Sequence, residues 1–271
     1  MRATRAEIAG TLAMVMATAC AATTMNLSGK ILHQDKQAQP RAGSARAVLV
    51  ELFTSEGCSS CPPADELLRK VDRKYTKDGA LIIGVSEHVT YWDNDGWKDP
   101  FSAELFTSRQ NDYGKRFGLD SVYTPQIVVN GETQFVGSDG RAFMQAVEKA
   151  QSESGATVSI VDTSVQRGAL SAVVSVAGEI PKRGADVYGV IAEDETTEHV
   201  LRGENTGRTL AHASVARVLL KVGKVAAAGE ITVRLPLPEG EGVASVSRRH
   251  LIVWVQEPNA GRTLGVDTKA F

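Results

Sequence analysis

Two cysteines, Cys58 and Cys61, are the residues of this sequence best suited to do chemistry. They are separated by Ser59-Ser60, follow the apolar run Ala47 to Phe53, and precede Pro62-Pro63 and a helical pattern. Two thiols three residues apart at a helix start lie within one turn of each other, so they can form a disulfide and reopen it with little backbone movement. The spacing predicts a redox site. Cys58 is expected to attack a partner, because it is the thiol expected to be left exposed where the strand ends, and Cys61 is expected to resolve the mixed disulfide.

Other uses of the two cysteines are weaker interpretations. A disulfide that closes a loop of two residues constrains the unfolded chain little, which disfavours a purely structural crosslink. A structural zinc site needs four ligands, and the sequence has no second CxxC pair to supply them. We therefore predict neither a metal nor a cofactor. A soft-metal site, such as a copper site of Cys58, Cys61 and His88, stays open as an alternative, as does a non-catalytic binding module.

The first 46 residues have the composition of a leader and a linker. Two arginines and a short apolar stretch predict a secretory signal peptide over residues 1–22, and hence a periplasmic or secreted protein without a transmembrane segment. Lipoprotein processing at Ala19-Cys20 is disfavoured, because Ala17 stands where a larger apolar residue is usual. Residues 23–46 are polar and predict a flexible spacer. The loss of Cys20 with the leader leaves one cysteine pair in an oxidising compartment.

Charge gives a further restriction on partners. The formal net charge of the chain is −2, and its Lys and Arg residues are scattered rather than clustered. This distribution argues against a nucleic acid or an anionic membrane as partner. The predicted partners are protein or small-molecule thiols and disulfides, and the sequence indicates no oligomeric state.

Residues 47–154 alternate between apolar runs and helical patterns. The predicted strands are 47–53, 80–85, 126–130 and 133–136, and the predicted helices are 63–75, 102–117 and 141–151. Asn130-Gly131 predicts a hairpin turn, and Gly118 predicts a helix end. The order of elements matches that of thioredoxin, so we predict an α/β thioredoxin-like domain over 47–154, a fold name that rests on analogy.

Residues 155–271 have a different texture. Short β-rich runs lie at 157–162, 170–176, 186–192, 198–201, 216–222, 231–235 and 251–256. They predict a β-rich, sandwich-like C-terminal domain. The segment Asn205 to Leu210 recurs as Asn259 to Leu264, which is first of all a repeated turn. The alternative is that Arg208 and Arg262 line a common partner surface.

Residues in or beside the first and third predicted strands are further candidates. Thr124-Pro125 begins the third strand, where thioredoxin-like folds have a cis proline that binds substrate backbone beside the cysteines. The segment from Tyr123 to Gly131 resembles that of glutaredoxin, and we predict a cis bond. Glu51 is a candidate for the buried acid that moves protons at Cys61, although strand alternation could turn it to the other face. Glu56 is a poorer candidate because we expect it to be solvated.

The segment after the second predicted strand supplies the remaining candidates. Loops that follow parallel strands lie at one rim of a sheet, so this segment is expected near the cysteines. Tyr91, Trp92 and Trp97 are predicted to form an apolar wall for substrate, and His88 to move protons or to complete a soft-metal site. Alternatively, the two tryptophans pack the loop onto the domain and His88 is only hydrogen-bonded nearby.

Several segments together resemble the bacterial secreted family called domain of unknown function 1223. They are Glu51 to Asp65, His88 to Asp93, Gly96 to Asp99, Tyr123 to Gln126 and Arg202 to Leu210. The resemblance implies a thioredoxin-like domain with a β-rich extension and an exported location, and no established activity. The roles of Cys58, Cys61 and Pro125 follow from the thioredoxin resemblance. Ser59-Ser60 departs from the Gly-Pro of thioredoxin, which leaves the direction of electron flow open.

Overall fold

The computed structural model describes residues 46–238 and 248–271. The predicted signal peptide and all but the last residue of the predicted spacer lie outside these residues. The elements in chain order are β1 (Ala47–Thr54), α1 (Pro62–Val71), β2 (Leu81–His88), α2 (Glu104–Phe117), β3 (Gln126–Val129), β4 (Thr133–Val136), α3 (Gly140–Ser152), β5 (Thr157–Gln166), β6 (Ala169–Ala177), β7 (Ala185–His199), β8 (Thr209–Val225), β9 (Gly229–Pro236), β10 (Arg249–Gln256) and β11 (Thr263–Ala270).

Local sequence signals explain where these elements begin and end. Prolines occupy the first two positions of α1, where their missing N–H groups cost no helical hydrogen bond. Helix α2 ends at Gly118, which adopts the left-handed conformation. The side chain of Asp139 caps α3 by accepting hydrogen bonds from two backbone N–H groups. Asn130 and Gly131 both have positive φ and form the predicted turn between β3 and β4.

Eight of the strands form one mixed sheet in the order β11-β10-β7-β8-β2-β1-β3-β4. Strands β1 and β2 are parallel, so the segments that follow them leave the sheet at the same edge. Strand β8 continues the sheet beyond β2, where Ser86 pairs with Val215 in parallel orientation. Strands β5, β6 and β9 form a separate three-stranded sheet. This topology places the Cys58–Cys61 segment, which follows β1, beside the C-terminal end of β2.

The predicted fold class, an α/β thioredoxin-like domain followed by a separate β-sandwich-like domain, is wrong. Most of the regular structure in the described residues is strand, and β7, β8, β10 and β11 belong to the same sheet as β1 to β4. A sheet that stopped at β2 would leave an apolar strand with unpaired backbone groups at its edge, and β8 covers that edge. Periodicity predicts strands but does not predict which strands pair.

Shared hydrophobic cores join the two halves of the chain. On one face of β1, Val48, Val50 and Leu52 pack with residues of α1 and α3. On the other face, Leu49 shares a core with Phe106 of α2 and Trp254 of β10. The three-stranded sheet packs on one face of β7 and β10, and the buried residues of this core include Leu170, Val174, Val187, Val233, Leu251 and Val253. None of the helices in the described residues has the length and apolar character needed to cross a bilayer.

Candidate functional site

Cys58 and Cys61 form a disulfide directly before helix α1. Their Cα atoms are 5.4 Å apart, and Cys61 is the N-cap residue of the helix. The backbone N–H of Cys61 donates to the carbonyl oxygen of Cys58 at 3.2 Å, which closes the turn between them. The two cysteines, separated by two residues, therefore lie at the start of a helix, as predicted. Ser59 and Ser60 form the exposed tip of this turn.

The start of α1 offers few hydrogen-bond donors to a sulfur. Pro62 and Pro63 have no backbone N–H, and the next two N–H groups, of Ala64 and Asp65, both donate to the carbonyl oxygen of Cys61. Backbone donors of the first turn are therefore committed to the helix itself. Stabilisation of a cysteine thiolate at this site has to come from the helix dipole, from charged side chains or from the hydroxyl of Ser60, whose Oγ lies 3.4 Å from Cys58 Sγ.

Neither cysteine has exposed surface: the relative accessibility of Cys58 and of Cys61 is 0 %. The expectation that Cys58 is the exposed thiol of the pair is therefore wrong. The connection between β7 and β8, residues 200–208, lies against the backbone around Cys58; we call it the cover loop. The side-chain amide of Asn205 donates to the carbonyl oxygens of Glu56 and Cys58 at 2.8 and 3.0 Å. The backbone N–H of Ser59 donates to the carboxylate of Glu204 at 3.1 Å. A thiol partner cannot reach either sulfur in this conformation.

A buried histidine of β8 joins the two carboxylates that flank the cysteines. His212 Nε2 lies 3.4 Å from Glu56 Oε1, and His212 Nδ1 lies 3.5 Å from Asp65 Oδ1. All three side chains are buried. Burial by itself would lower the pKa of His212, but the carboxylates of Asp65 and Glu56 raise it from 6.5 to about 10. The site therefore contains a buried imidazolium at neutral pH.

A second histidine extends this buried cluster. His88 is the last residue of β2, and its Nδ1 lies 2.7 Å from Asp99 Oδ2. The same Asp99 oxygen accepts the backbone N–H of Glu56 at 2.8 Å. Burial would raise the pKa of Asp99, but His88 and two backbone N–H groups lower it from 3.8 to about 2. The His88 and His212 rings meet edge to face at 4.7 Å. His88 is thus linked to the residues before Cys58 through Asp99.

The two predicted tryptophans and Thr124 lie beside the same segment. Trp92 Nε1 donates to Thr124 Oγ1 at 2.7 Å, and a Cβ on Gly57 would lie 3.0 Å from Trp92 Cβ. Trp97 Nε1 donates to Glu56 Oε2 at 2.8 Å. Trp92 and Trp97 therefore pack against the residues that immediately precede Cys58.

Pro125 lies next to the first turn of α1. The Thr124–Pro125 peptide bond is cis, as predicted. A Cβ on Gly137 would lie 3.2 Å from Pro125 Cβ and 3.0 Å from Ala64 Cβ, so Gly137 is wedged between the proline and the helix. The structure thus brings Cys58, Cys61 and Pro125 to the same side of the sheet, at the C-terminal end of β1.

Glu51 lies on the opposite face of β1 from α1, because Val50 and Leu52 on either side of it face that helix. Its carboxylate binds Arg109 and Tyr113 of α2. The predicted role of Glu51 in proton transfer at Cys61 is therefore not supported by its position. The expectation that Glu56 is solvated is wrong, because Glu56 is fully buried and bound to Trp97 and Asp99.

Arg109 is the centre of the cluster that contains Glu51. Its Nη2 donates to Tyr113 Oη and Gln256 Oε1, each at 3.1 Å, and its guanidinium lies over the rings of Tyr188 and Trp254 at 4.9 and 5.0 Å. Burial and the Glu51 carboxylate raise the pKa of the nearby Glu87 carboxyl well above its usual range. Arg109 thus ties α2 to β1 and β10, and its role is structural.

Arg109→Lys is expected to lower the free energy of unfolding by about 2 kcal/mol, because lysine keeps the charge but loses the planar fork that binds several acceptors at once. Urea unfolding of the variant measures the loss. Arg69→Lys, an exposed substitution on α1, is the matched control and should leave the unfolding free energy unchanged. Equal stability of the Arg109 and Arg69 variants would contradict this structural role.

A serine, a histidine and an aspartate also lie in line elsewhere in the sheet. Ser214 Oγ is 3.0 Å from His250 Nε2, and His250 Nδ1 is 2.6 Å from Asp194 Oδ1. Ser214 has no exposed surface, and its hydroxyl donates to the carbonyl oxygen of Gly84 at 2.6 Å. A nucleophilic serine needs access to substrate, so this set is a link between β2, β8 and β10 rather than a hydrolytic site.

The soft-metal alternative finds no geometric support. The cysteine sulfurs are bonded to each other, and no group of three or more His, Cys, Asp and Glu side chains within 46–238 and 248–271 is arranged to hold a metal ion. The repeated Asn-x-Gly-Arg segments are both turns, and their arginines have different partners. Arg208 binds the Asn205 side chain, whereas Arg262 binds the backbone of Ser154.

Sequence reasoning missed two residues of the site. His212 carries no local motif, because it reaches the cysteine segment only through the pairing of β8 in the large sheet. Asn205 was predicted only to belong to a repeated turn and to a segment that resembles the family, although it is fully buried. The signal that could have singled it out is its place in both of these segments.

These features define a protein with a mixed sheet and a buried disulfide at the C-terminal end of one of its central strands. Residues 49–256 match the family described as "Protein of unknown function (DUF1223)". The chain belongs to this family, as its sequence motifs predict. No curated protein matches the chain.

Two solved structures are similar to different degrees. A crystal structure of a protein from Agrobacterium tumefaciens is 29% identical in sequence, with a TM-score of 0.63, and the match covers 83% of this chain and 94% of that one. A domain of the outer membrane lipoprotein Omp28 from Porphyromonas gingivalis is 10% identical, with a TM-score of 0.28, over 42% of this chain and 94% of that one. Only the first similarity is high enough to indicate a common fold.

Proposed function

We propose that the protein is an exported thiol–disulfide oxidoreductase that acts through Cys58 and Cys61. The observation that carries the proposal is the closed disulfide at a helix start, with buried Glu56 before it and buried Asp65 after it in the sequence, both within 3.5 Å of His212. Such a short disulfide loop contributes little stability as a crosslink. The buried charges around it are costly to maintain, and clusters of this kind are common at sites that handle protons.

Each exchange cycle transfers two electrons. One thiolate of a partner dithiol attacks Cys58 Sγ, a partner–Cys58 bond forms, the Cys58–Cys61 bond breaks, and Cys61 leaves as a thiolate that takes up a proton. The second thiolate of the partner then attacks the partner sulfur of the mixed disulfide. The partner leaves as a disulfide, and Cys58 is released and protonated. In the reverse direction Cys58 attacks a partner disulfide and Cys61 resolves the intermediate.

The neighbouring residues have distinct roles in this proposal. Trp92, Trp97, Thr124 and Pro125 shape the side of the site from which a substrate approaches. His212 supplies a positive charge that favours the thiolate form of the cysteines over the thiol form. His88 holds Asp99 and is not expected to exchange protons with substrate directly.

An exported location fits this chemistry. Thiol pairs that cycle through a disulfide with protein partners are usual in oxidising compartments, and the first 22 residues have the pattern of a signal peptide. We place the protein in the periplasm or outside the cell, and we take its partners to be protein or small-molecule thiols and disulfides.

The test is a transfer experiment in both directions. Oxidised protein is mixed with a reduced two-cysteine peptide, and reduced protein with the oxidised peptide; samples are quenched with acid, labelled with maleimide and weighed by mass spectrometry. In at least one direction, we expect transfer between the protein and the peptide to be faster than transfer between the peptide and glutathione, with glutathione at the same concentration as the protein. Protein alkylated at both cysteines is the control. Transfer no faster than with glutathione in either direction would rule the proposal out and leave a binding role.

A further inference from the structure

The covered disulfide raises the question of how a partner thiol gains access. Exchange requires the attacking sulfur to approach a disulfide sulfur directly, and neither Cys58 nor Cys61 has exposed surface. The segments that carry the cysteines are anchored on both sides: Phe53 and Thr54 before them and Ala64 and Leu68 after them are buried. Access therefore depends on movement of something that lies over the motif.

The cover loop is the segment whose construction permits such movement. Arg202, Glu204, Thr206, Gly207 and Arg208 are exposed, whereas Asn205 between them is fully buried. Hydrogen bonds from Val200 N to Arg208 O and from Gly207 N to Val200 O close the loop upon itself. The loop is thus a closed turn at the end of β7 and β8, anchored at its base by the buried side chain of Val200 and at its centre by that of Asn205.

The contacts of that side chain are made with the motif itself. Asn205 Nδ2 is shared between the carbonyl oxygens of Glu56 and Cys58, and Asn205 Oδ1 accepts from Arg208 Nη1 at 2.8 Å. Glu204 adds a bond to Ser59 N–H. Gly203 packs beside the tryptophan segment, where a Cβ would lie 3.1 Å from Asp95 O and 3.3 Å from Trp97 Cβ. These contacts seat the loop on the cysteine turn and on the predicted substrate wall together.

We propose that the cover loop is a latch held by Asn205, which must lift before a partner thiol can attack the Cys58–Cys61 disulfide. This inference rests on the proposed function and adds to it the step that admits the partner. Lifting the loop frees two carbonyl oxygens and the Ser59 N–H. These groups are a set that an extended polypeptide can bind through its backbone, so the partner that takes their place is a protein segment carrying a thiol. Asn205 is a positioning residue in this scheme and does not touch the reacting atoms.

The experiment measures the rate at which dithiothreitol reduces the disulfide of the folded protein. Asn205→Asp keeps the size of the side chain but replaces the amide donor with an acceptor that repels both carbonyl oxygens. Asn205→Ala removes the donor altogether. We expect each to raise the second-order rate constant about tenfold or more, as the loss of two hydrogen bonds predicts. Arg202→Ala, in the exposed part of the same loop, should leave the rate constant unchanged. Reduction of the Asn205→Asp variant at the wild-type rate would overturn the latch.

A second measurement uses the wild-type protein alone and holds even if both Asn205 variants fail to fold. The disulfide in the folded protein should react at least about tenfold more slowly than the same disulfide in a synthetic peptide of residues 54–66, because opening of the loop has to precede attack. Equal rates would overturn the proposal. These rates do not depend on any protein substrate, so failure of exchange with peptides and failure of the latch are separate results.

Discussion

Cys58→Ser is expected to reduce thiol–disulfide exchange to the rate of buffer alone, and Cys61→Ser is expected to accumulate a mixed disulfide through Cys58. The reason is the division of roles: without Cys58 no bond to the partner forms, whereas without Cys61 the bond forms and is not resolved from within the protein. The transfer assay gives the rate, and mass spectrometry of the acid-quenched reaction gives the mixed disulfide. Ser164→Ala, an exposed substitution on β5, is the control and should keep the wild-type rate.

The opposite pattern would contradict these roles. If the Cys61→Ser variant forms no adduct while Cys58→Ser forms one, the attacking residue is Cys61. A variant that lacks either cysteine and still exchanges at the wild-type rate would show that the pair is not the reactive site.

His212→Leu is expected to lower the free energy of unfolding by about 3–5 kcal/mol near neutral pH, because it leaves Glu56 and Asp65 buried without their shared cation. The direction of the pKa shift of His212 determines how its contribution to stability changes with pH. The pKa of His212 is raised in the folded state from 6.5 to about 10. Its contribution is therefore complete below pH 6.5 and is lost as the pH rises towards 10. Urea unfolding of the wild type between these values should show a fall in stability that is absent from the variant.

His199→Leu is the matched control for that experiment. His199 is exposed at the end of β7, so its replacement should change neither the unfolding free energy at pH 6.5 nor the slope up to pH 10. An identical slope for wild type and His212→Leu would contradict the buried imidazolium. It would also remove the charge that we assign to stabilising a thiolate.

The sequence predicted the elements of this fold better than their arrangement. All three helices and β1 to β4 were expected close to their observed positions, because apolar periodicity, the Asn130-Gly131 turn and Gly118 are local signals. β11 was missed, and β7 and β8 are longer than the runs that indicated them. The error in fold class arose from strand pairing. The sequence around Val215 contains no signal that its strand pairs with β2 at Ser86, because that pairing covers the exposed edge of β2, which is far away in the sequence.

The candidate site divides in the same way. Cys58, Cys61 and the cis Pro125 were found from short motifs, and Trp92 was placed correctly beside them because loops after parallel strands share an edge. Glu51, the candidate for proton transfer at Cys61, lies on the other face of β1, because one position along a strand exchanges the two faces. His212 and Asn205 could not be found, because each contacts the cysteine segment across more than 140 positions of the chain, as in the 147-residue separation of Asn205 and Cys58.

The central claim, that the disulfide exchanges electrons with other molecules, is tested most directly by its reduction potential. The potential is obtained by equilibrating the protein with glutathione and dithiothreitol buffers and counting free thiols by mass. The account predicts a value between about −300 and −120 mV, the range of proteins that exchange disulfides. A value below about −300 mV, which is typical of disulfides that stay closed, would contradict it.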